Sequence, residues 1–158
     1  MIKVVAVGKI KEKALSALIA EYQKRLSGYV KLTIVEVNDE EIVNSEVEAL
    51  KQRVLTLEAT RILNQIKEKE YVILLDLKGE MVDSITLAKK IDSVFTYQTG
   101  DITFVIGGSL GVSEEVIKRA NWRLKLSDLT FTHQHARLLV LEQLYRCFKI
   151  NNNETYHK

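Results

Sequence analysis

The chain has 158 residues, of which 46% are hydrophobic and 28% charged, and its formal net charge is +2. This composition predicts a single globular domain over residues 1–158 and excludes a disordered or fibrous chain. A single cysteine excludes an internal disulfide framework, and no apolar run approaches the roughly 18 residues of a membrane span, so we expect a soluble cytoplasmic protein without membrane contact.

The first half of the chain predicts two strands, each followed by a helix. Ile2–Val7 is a β-branched run that predicts a strand, and apolar residues between positions 15 and 26 recur at helical spacing. Residues 30–37 predict a second strand, and apolar positions from 47 to 66 predict a second helix.

The second half continues the same alternation. Residues 71–77 are typical of a strand covered on both faces, and residues 78–80 are expected to end it. Ser84 is expected to cap a third helix. Ile102–Ile106 predicts a fourth strand, and Ser113 predicts the capped start of a fourth helix.

The last predicted elements are a strand over residues 122–126 and a helix over residues 134–150. Five strands alternating with five helices predict an α/β fold with a mainly parallel sheet and helices on both faces. Ligands of such sheets bind at the carboxyl ends of strands, so the loops after Leu75, Ile106 and Leu126 are candidate sites.

Residues 107–111 form a glycine-rich turn between a strand and a helix. The backbone of such a turn can approach a ligand closely. The turn lacks the lysine of a phosphate-binding P-loop and the spacing of a dinucleotide fingerprint, so nucleotide hydrolysis is a weak interpretation. A tight turn with no ligand is the alternative.

Two of the three histidines, His133 and His135, lie in the polar segment before the last helix. They could bind a metal only with a third ligand, and no further His or Cys is near in sequence, so no metal site is predicted. A capping or solvent-facing role is the alternative for both.

The last helix is apolar around most of its circumference, which predicts cover by the sheet on one side and by a partner subunit on another. Arg137 projects from its apolar side in the first turn. Burying that guanidinium requires an anion, which makes Arg137 a functional candidate unless the first turn lies outside the core. The polar tail over residues 151–158 is either disordered or closes over an anionic site.

The small net charge conceals a segregation along the chain. Residues 1–31 carry +5, residues 32–117 carry −8 and residues 118–158 carry +5. If the two basic ends meet in space, they form a surface that attracts phosphate. Scattered, solvated charges are the alternative.

Several motifs occur together in a fixed order. They include Val4-Val5-Ala6-Val7-Gly8-Lys9, Phe104-Val105-Ile106-Gly107-Gly108-Ser109-Leu110-Gly111, Leu129-Thr130-Phe131, His133-Gln134, Glu142-Gln143-Leu144-Tyr145-Arg146 and Tyr156-His157-Lys158. In this order and at this length, they resemble the bacterial SPOUT-class methyltransferases that modify N3 of a pseudouridine in large-subunit ribosomal RNA.

The resemblance implies a homodimer with a C-terminal trefoil knot. It also implies that S-adenosylmethionine is the methyl donor and that the target lies in the subunit-interface stem-loop of the assembled ribosome. The implied donor-binding residues are Leu75, Gly107, Leu126, Ser127, Asp128, Leu129, Thr130 and Phe131.

The resemblance also suggests roles for individual residues. His133 would accept the N3 proton or orient the base, and Arg137 would stabilise charge on the flanking carbonyl oxygens. Tyr156 and His157 would close the site, from the other subunit if the geometry requires it. The residues implied to contact RNA phosphates are Lys9, Lys11, Lys13 and Arg146.

Thr132, Asp128 and His135 depart from the family pattern, which usually has proline at the first of these positions and small or apolar residues at the other two. These departures bear on the rigidity and charge of the donor loop. A ribosome-binding factor without catalysis is the competing function.

Overall fold

Strands and helices alternate along the chain in the computed structural model, which describes residues 1–42 and 46–157. Lys158, the last residue of the C-terminal motif, lies outside this range. In chain order the elements are β1 (Ile2–Val7), α1 (Lys13–Leu26), β2 (Leu32–Val37), α2 (Glu48–Leu63), β3 (Tyr71–Met81), α3 (Ser84–Tyr97), β4 (Ile102–Ile106), α4 (Glu114–Arg119), β5 (Trp122–Lys125) and α5 (His133–Asn151).

The five strands form one sheet in the order β2-β1-β4-β3-β5, and each of its four pairings is parallel. Val4 of β1 pairs with Ile34 of β2 on one side and with Phe104 of β4 on the other. This arrangement confirms the predicted α/β fold with a parallel sheet. The β-branched and aromatic residues of the central strands suit a sheet that is buried on both faces.

Helices cover both faces of the sheet. Alternate strand residues such as Val4 and Phe104 pack under α1, α3 and α5, together with Ile91 and Leu141. The intervening residues, such as Val105, face α2 and α4. Alternation of side chains across each strand therefore divides the core into two layers.

Strand β3 is longer than the apolar run predicts, and the expected end at residues 78–80 is wrong. Leu75 and Glu80 both pair with Leu124 of β5, so the residues between them form a bulge and the strand resumes beyond it. The Trp122 indole N–H donates to the Glu80 carboxylate at 2.8 Å and holds the extension against β5. Polar residues continue this strand because, beyond Leu74, it pairs with β5 but no longer with β4, and its side chains there are largely exposed.

The helix caps differ in part from the prediction. Asp83, rather than Ser84, caps α3, because its carboxylate accepts the backbone N–H of Thr86 at 2.7 Å. Ser84 instead donates its hydroxyl to the Gln143 side-chain oxygen of α5 at 2.7 Å. Ser113 caps α4 as predicted. Among the described residues, no helix combines the length and the apolar character needed to cross a membrane.

Candidate functional site

The carboxyl ends of β4 and β5 lie on either side of β3, near the level where the bulge begins after Leu75, because β3 stands between two parallel neighbours. Leu74 pairs with Val105 in β4 and with Arg123 in β5. Three of the positions predicted to bind the donor lie one to three residues beyond Leu74, Val105 and Arg123. The structure therefore brings these positions to one edge of the sheet: Leu75, Gly107 and Leu126.

The loop after β5 leaves apolar side chains uncovered at this edge. Leu129 is 72% exposed and Phe131 is 41% exposed. The Ser127 hydroxyl accepts the Leu129 backbone N–H at 3.0 Å, while the Asp128 carboxylate pairs with the Lys125 ammonium. Two exposed apolar side chains beside strand ends suit an apolar ring of a ligand.

The glycine-rich turn after β4 is tightly wound. A Cβ added to Gly107 would lie 2.6 Å from Val112 Cγ1 and 2.8 Å from the Gly111 carbonyl oxygen. Gly111 has a φ of +86°, which favours glycine. The turn therefore depends on glycine for its own packing at the carboxyl end of β4.

His133 is the first residue of α5, and its imidazole lies against Gly8 at the end of β1. A Cβ on Gly8 would lie 3.2 Å from His133 Nε2, and the φ of +81° at Gly8 also favours glycine. Burial lowers the pKa of His133, and the Arg137 guanidinium lowers it further, while Asp39 opposes the shift. The imidazole is therefore neutral near pH 7 and can accept a proton.

Thr132 ends the donor loop by capping α5. Its hydroxyl oxygen accepts the His135 backbone N–H at 3.3 Å and lies 2.8 Å from His135 Nδ1. This side-chain cap fixes the start of the helix. His135 is exposed and turned to its own cap rather than toward His133.

Arg137 is 1% exposed, so the first turn of α5 lies inside the core. Its Nη1 lies 2.5 Å from Glu36 Oε1, and its Nη2 donates to the Gly8 carbonyl at 2.9 Å. Glu36 supplies the anion that a buried guanidinium requires. Nη1 and Nη2 make these contacts inside the protein, whereas Nε has no hydrogen-bond partner among the described residues. The guanidinium has no exposed face, so it affects the site through Gly8 and His133.

A cavity of about 200 Å³ opens between the end of β1, helix α2 and the glycine-rich turn. Its lining includes His133, Ser109, Asp39 and Glu58. Glu58 is 5% exposed, and its Oε1 accepts the Glu40 backbone N–H at 3.0 Å. Burial raises the pKa of Glu58, the Glu40 N–H opposes the shift, and Asp39 adds to it.

Glu58 was not among the residues that the sequence predicts for the site. The signal was present, since Glu58 lies four residues from both Val54 and Ile62, which are buried on α2. A carboxylate on the apolar stripe of a helix indicates either a buried partner or a site.

Tyr156 and His157 lie at the opposite end of α5 from His133. The Tyr156 hydroxyl donates to Glu142 Oε1 at 3.2 Å, its ring lies under the Arg146 guanidinium at 4.7 Å, and His157 Nδ1 is 3.3 Å from Arg146 Nη1. Arg146 lies 13 residues beyond His133 on α5, which is about 20 Å along the axis. One chain therefore does not bring the four predicted catalytic residues together.

The predicted RNA-binding residues divide in the same way. Lys9, Lys11 and Lys13 are exposed beside the start of α5, and the Lys11 backbone N–H contacts the Gln134 side-chain oxygen at 3.4 Å. Arg146 lies at the far end and pairs with Glu142 at 2.6 Å. The basic ends do meet in space, but the three lysines and Arg146 do not form one patch within a chain.

Among residues 1–42 and 46–157, no group of three or more His, Cys, Asp or Glu side chains is arranged to hold a metal ion. Cys147 is buried on α5, where burial raises the pKa of its thiol to about 12. It is a core residue.

Comparison with known proteins gives matches along the whole chain. A family profile described as a predicted SPOUT methyltransferase matches residues 1–157. A protein of Clostridium botulinum (strain Alaska E43 / Type E3) named ribosomal RNA large subunit methyltransferase H is 48% identical over 157 residues, covering 99% of both chains. A protein of Latilactobacillus sakei subsp. sakei (strain 23K) with the same name is 50% identical over 157 residues, also covering 99% of both.

A solved structure is also similar. The structure of a probable methylase family protein from Haemophilus influenzae Rd KW20 matches with a TM-score of 0.55 at 18% identity, covering 99% of this chain and 70% of that one. At this identity, the likeness concerns the fold alone.

Proposed function

Because the chain belongs to the SPOUT methyltransferase family, we propose that it transfers a methyl group from S-adenosylmethionine to large-subunit ribosomal RNA. The family match supports the reaction class, and the names of the full-length relatives support the substrate. Following the family resemblance, the target is N3 of a pseudouridine in the subunit-interface stem-loop of the assembled ribosome. The site of action is then the cytoplasm.

The observation that carries the proposal is the meeting of Leu75, Gly107 and Leu126 at one edge of the sheet. These positions are far apart in sequence, and the order β4-β3-β5 places their loops side by side. Exposed Leu129 and Phe131 offer apolar surface to the adenine ring, and backbone groups of the turn at Gly107 approach the ligand closely.

These residues fit the proposed donor. The adenosine is held by Leu75, Gly107 and the loop from Leu126 through Ser127, Asp128, Leu129 and Thr130 to Phe131. When bound, S-adenosylmethionine supplies an electrophilic methyl group on a sulfonium ion. The Asp128 carboxylate, which pairs with the Lys125 ammonium, lies in the same loop. The trefoil knot implied by the family remains a prediction.

The chain's own contribution to the chemistry is to position the base and to receive its proton. Neutral His133 accepts the proton from N3, since its lowered pKa leaves a free nitrogen near pH 7. Arg137 acts as a positioning residue, because its bonds to Glu36 and Gly8 fix the backbone against which His133 rests.

Tyr156 and His157 complete the site from a second subunit. Within one chain these residues lie about 20 Å from His133 along α5, so they close the same site only in a dimer. The exposed lysines Lys9, Lys11 and Lys13 lie on the His133 side and contact RNA phosphates. Arg146 contributes from the partner's side together with Tyr156.

A ribosome-binding factor without catalysis is the competing proposal, and calorimetry separates the two. We expect titration with S-adenosylmethionine to give heat that saturates in the wild-type protein and is lost in Gly107→Ala. A binding factor without catalysis would give no heat with this ligand.

A further inference from the structure

The cavity lined by Glu58 and His133 lies beside the proposed donor site, not within it. Strand β1 pairs with β4 on the side away from β3, so a cavity at the end of β1 is separated from the donor loops by the turn after β4. Gly108 and Ser109 of this turn line the cavity, and Gly107 belongs to the proposed donor site. A group bound in the cavity therefore lies on one side of the turn after β4, and the proposed donor site lies on the other.

Two acceptor groups on different helices, Glu58 on α2 and His133 on α5, line the cavity. Glu58 lies against Gly108 after β4, where an added Cβ would be 2.9 Å from Glu58 Oε2. His133 lies against Gly8 after β1. Glu58 Oε1 accepts the Glu40 backbone N–H, while Oε2 accepts no hydrogen bond from the described part of the chain. Because Glu58 lines the cavity, a ligand donor in the cavity can bond to this free oxygen.

The lining excludes two classes of ligand. The described side chains around the cavity include Asp39, Glu40 and Glu58 but no lysine or arginine, so a phosphate would be repelled. Those carboxylates and His133 do not form a metal-binding group in the described residues. The volume of about 200 Å³ is below the roughly 300–1,000 Å³ of sites for whole small molecules, so it suits a single ring.

Building on the proposed function, we propose that this cavity receives the target base, extruded from the RNA, and that Glu58 Oε2 and His133 each accept one ring N–H. Enzymes that modify a base commonly extrude it in this way. Pseudouridine carries ring N–H groups at both N1 and N3, whereas N1 of uridine is bonded to the sugar. Glu58 accepts the N1–H while His133 accepts the N3–H, so Glu58 is the residue that selects pseudouridine over uridine.

Free nucleosides test this subsite without methyl transfer. Backbone amide signals of Gly108, Ser109 and His133 are followed by NMR during titration of the full chain with pseudouridine, 1-methylpseudouridine or uridine at millimolar concentrations. Pseudouridine is expected to bind about ten-fold more tightly than the other two, the effect of one hydrogen bond to a charged acceptor. Equal affinities for the three nucleosides, or no change in these signals, would overturn the proposal, and neither result depends on a variant.

The Glu58→Gln variant locates the selectivity. It is expected to bind pseudouridine about ten-fold more weakly than wild type, while Glu48→Gln, on the exposed face of the same helix, binds it normally. Unchanged selectivity in Glu58→Gln overturns the assignment. Transfer of labelled methyl groups to ribosomes is measured on the same preparations. Transfer without nucleoside selectivity overturns the subsite alone, whereas selectivity without transfer supports the subsite and overturns the proposed function.

Discussion

The Arg137 guanidinium lies 2.5 Å from the Glu36 carboxylate, across 101 positions of sequence, and it is 1% exposed. The same guanidinium donates to the Gly8 carbonyl at 2.9 Å. One buried side chain therefore joins the ends of β1 and β2 to the start of α5, the helix whose first residue is His133.

Replacing Arg137 with alanine is expected to destabilise the fold by about 2–4 kcal/mol, because it leaves Glu36 and the Gly8 carbonyl without their partner. Urea denaturation measures the change. Arg53→Ala, on the exposed face of α2, is the matched control and should unfold as wild type does. Equal stability of the two variants would show that the buried pair does not organise this end of the sheet.

Replacing His133 with alanine is expected to lower kcat/KM for methyl transfer by about 10²–10⁴-fold while leaving the fold intact. Because burial lowers the pKa of His133, the acid limb of the wild-type pH profile should lie below pH 6.5, the ordinary value of histidine. An identical acid limb in His133→Ala would exclude His133 as the proton acceptor.

The pH dependence of the free energy of unfolding of the wild-type protein should also include a contribution from His133. Between the lowered folded pKa and the ordinary value near 6.5, the unfolded chain binds more protons than the folded chain, so this residue makes stability rise with pH through that window. His133→Ala should remove this part of the pH dependence. Denaturation midpoints on either side of pH 6.5 provide the comparison, and an unchanged slope in the variant contradicts the placement of the imidazole.

Replacing Gly107 with alanine is expected to cost about 1–3 kcal/mol, since the new Cβ would lie 2.6 Å from Val112 Cγ1. It should also abolish the heat of S-adenosylmethionine binding. Gly100→Ala is the control, because nothing lies within 4 Å of its Cβ position. If Gly107→Ala binds S-adenosylmethionine normally, the turn after β4 is not part of the donor site.

Replacing Glu58 with glutamine is expected to raise the melting temperature near pH 7 by about 1–3 °C. Burial raises the pKa of Glu58, so the folded chain binds more protons than the unfolded chain above the ordinary carboxyl pKa, and stability is lost as the pH rises through the raised value. The neutral amide avoids this loss. A fall of several degrees would mean that the charge stabilises the fold and is not retained for a ligand.

Mixing two inactive variants tests whether the site is shared between subunits. His133→Ala and Tyr156→Ala chains are co-refolded in equal amounts. If half of the dimers are mixed and each mixed dimer has one intact site, the mixture should recover about one quarter of wild-type activity. A mixture of His133→Ala and His133→Gln chains is the control and should recover none. No recovery in the first mixture would contradict a site built from two chains.

Regular elements were predictable because their signals are local. Apolar runs, helical spacing and cap residues predicted the strands and helices. The position of Arg137 on the apolar side of the last helix predicted that its charge needs an anion if it is buried. The prediction at residues 78–80 was wrong because a polar bulge and a polar strand extension have the composition of a turn. The partner of Arg137 is Glu36, and no local pattern relates two residues 101 positions apart.

The candidate site was predictable only in part for the same reason. The parallel order β4-β3-β5, which brings Leu75, Gly107 and Leu126 together, is a property of the whole sheet. The separation of Tyr156 from His133 follows from the length of α5 and the return of the tail along it. Glu58 carried a signal in its spacing from buried apolar residues, but which atoms it faces depends on a turn 50 residues away at Gly108.

Transfer of a labelled methyl group from S-adenosylmethionine is the most direct test of the central claim. Purified protein is incubated with the donor and with assembled ribosomes, separate subunits or free ribosomal RNA, and the label is mapped to a nucleotide. We expect label in the large-subunit RNA of assembled ribosomes, on N3 of one pseudouridine in the subunit-interface stem-loop, and none with His133→Ala. Absence of label from all of these RNAs, with S-adenosylmethionine bound, would contradict the claim.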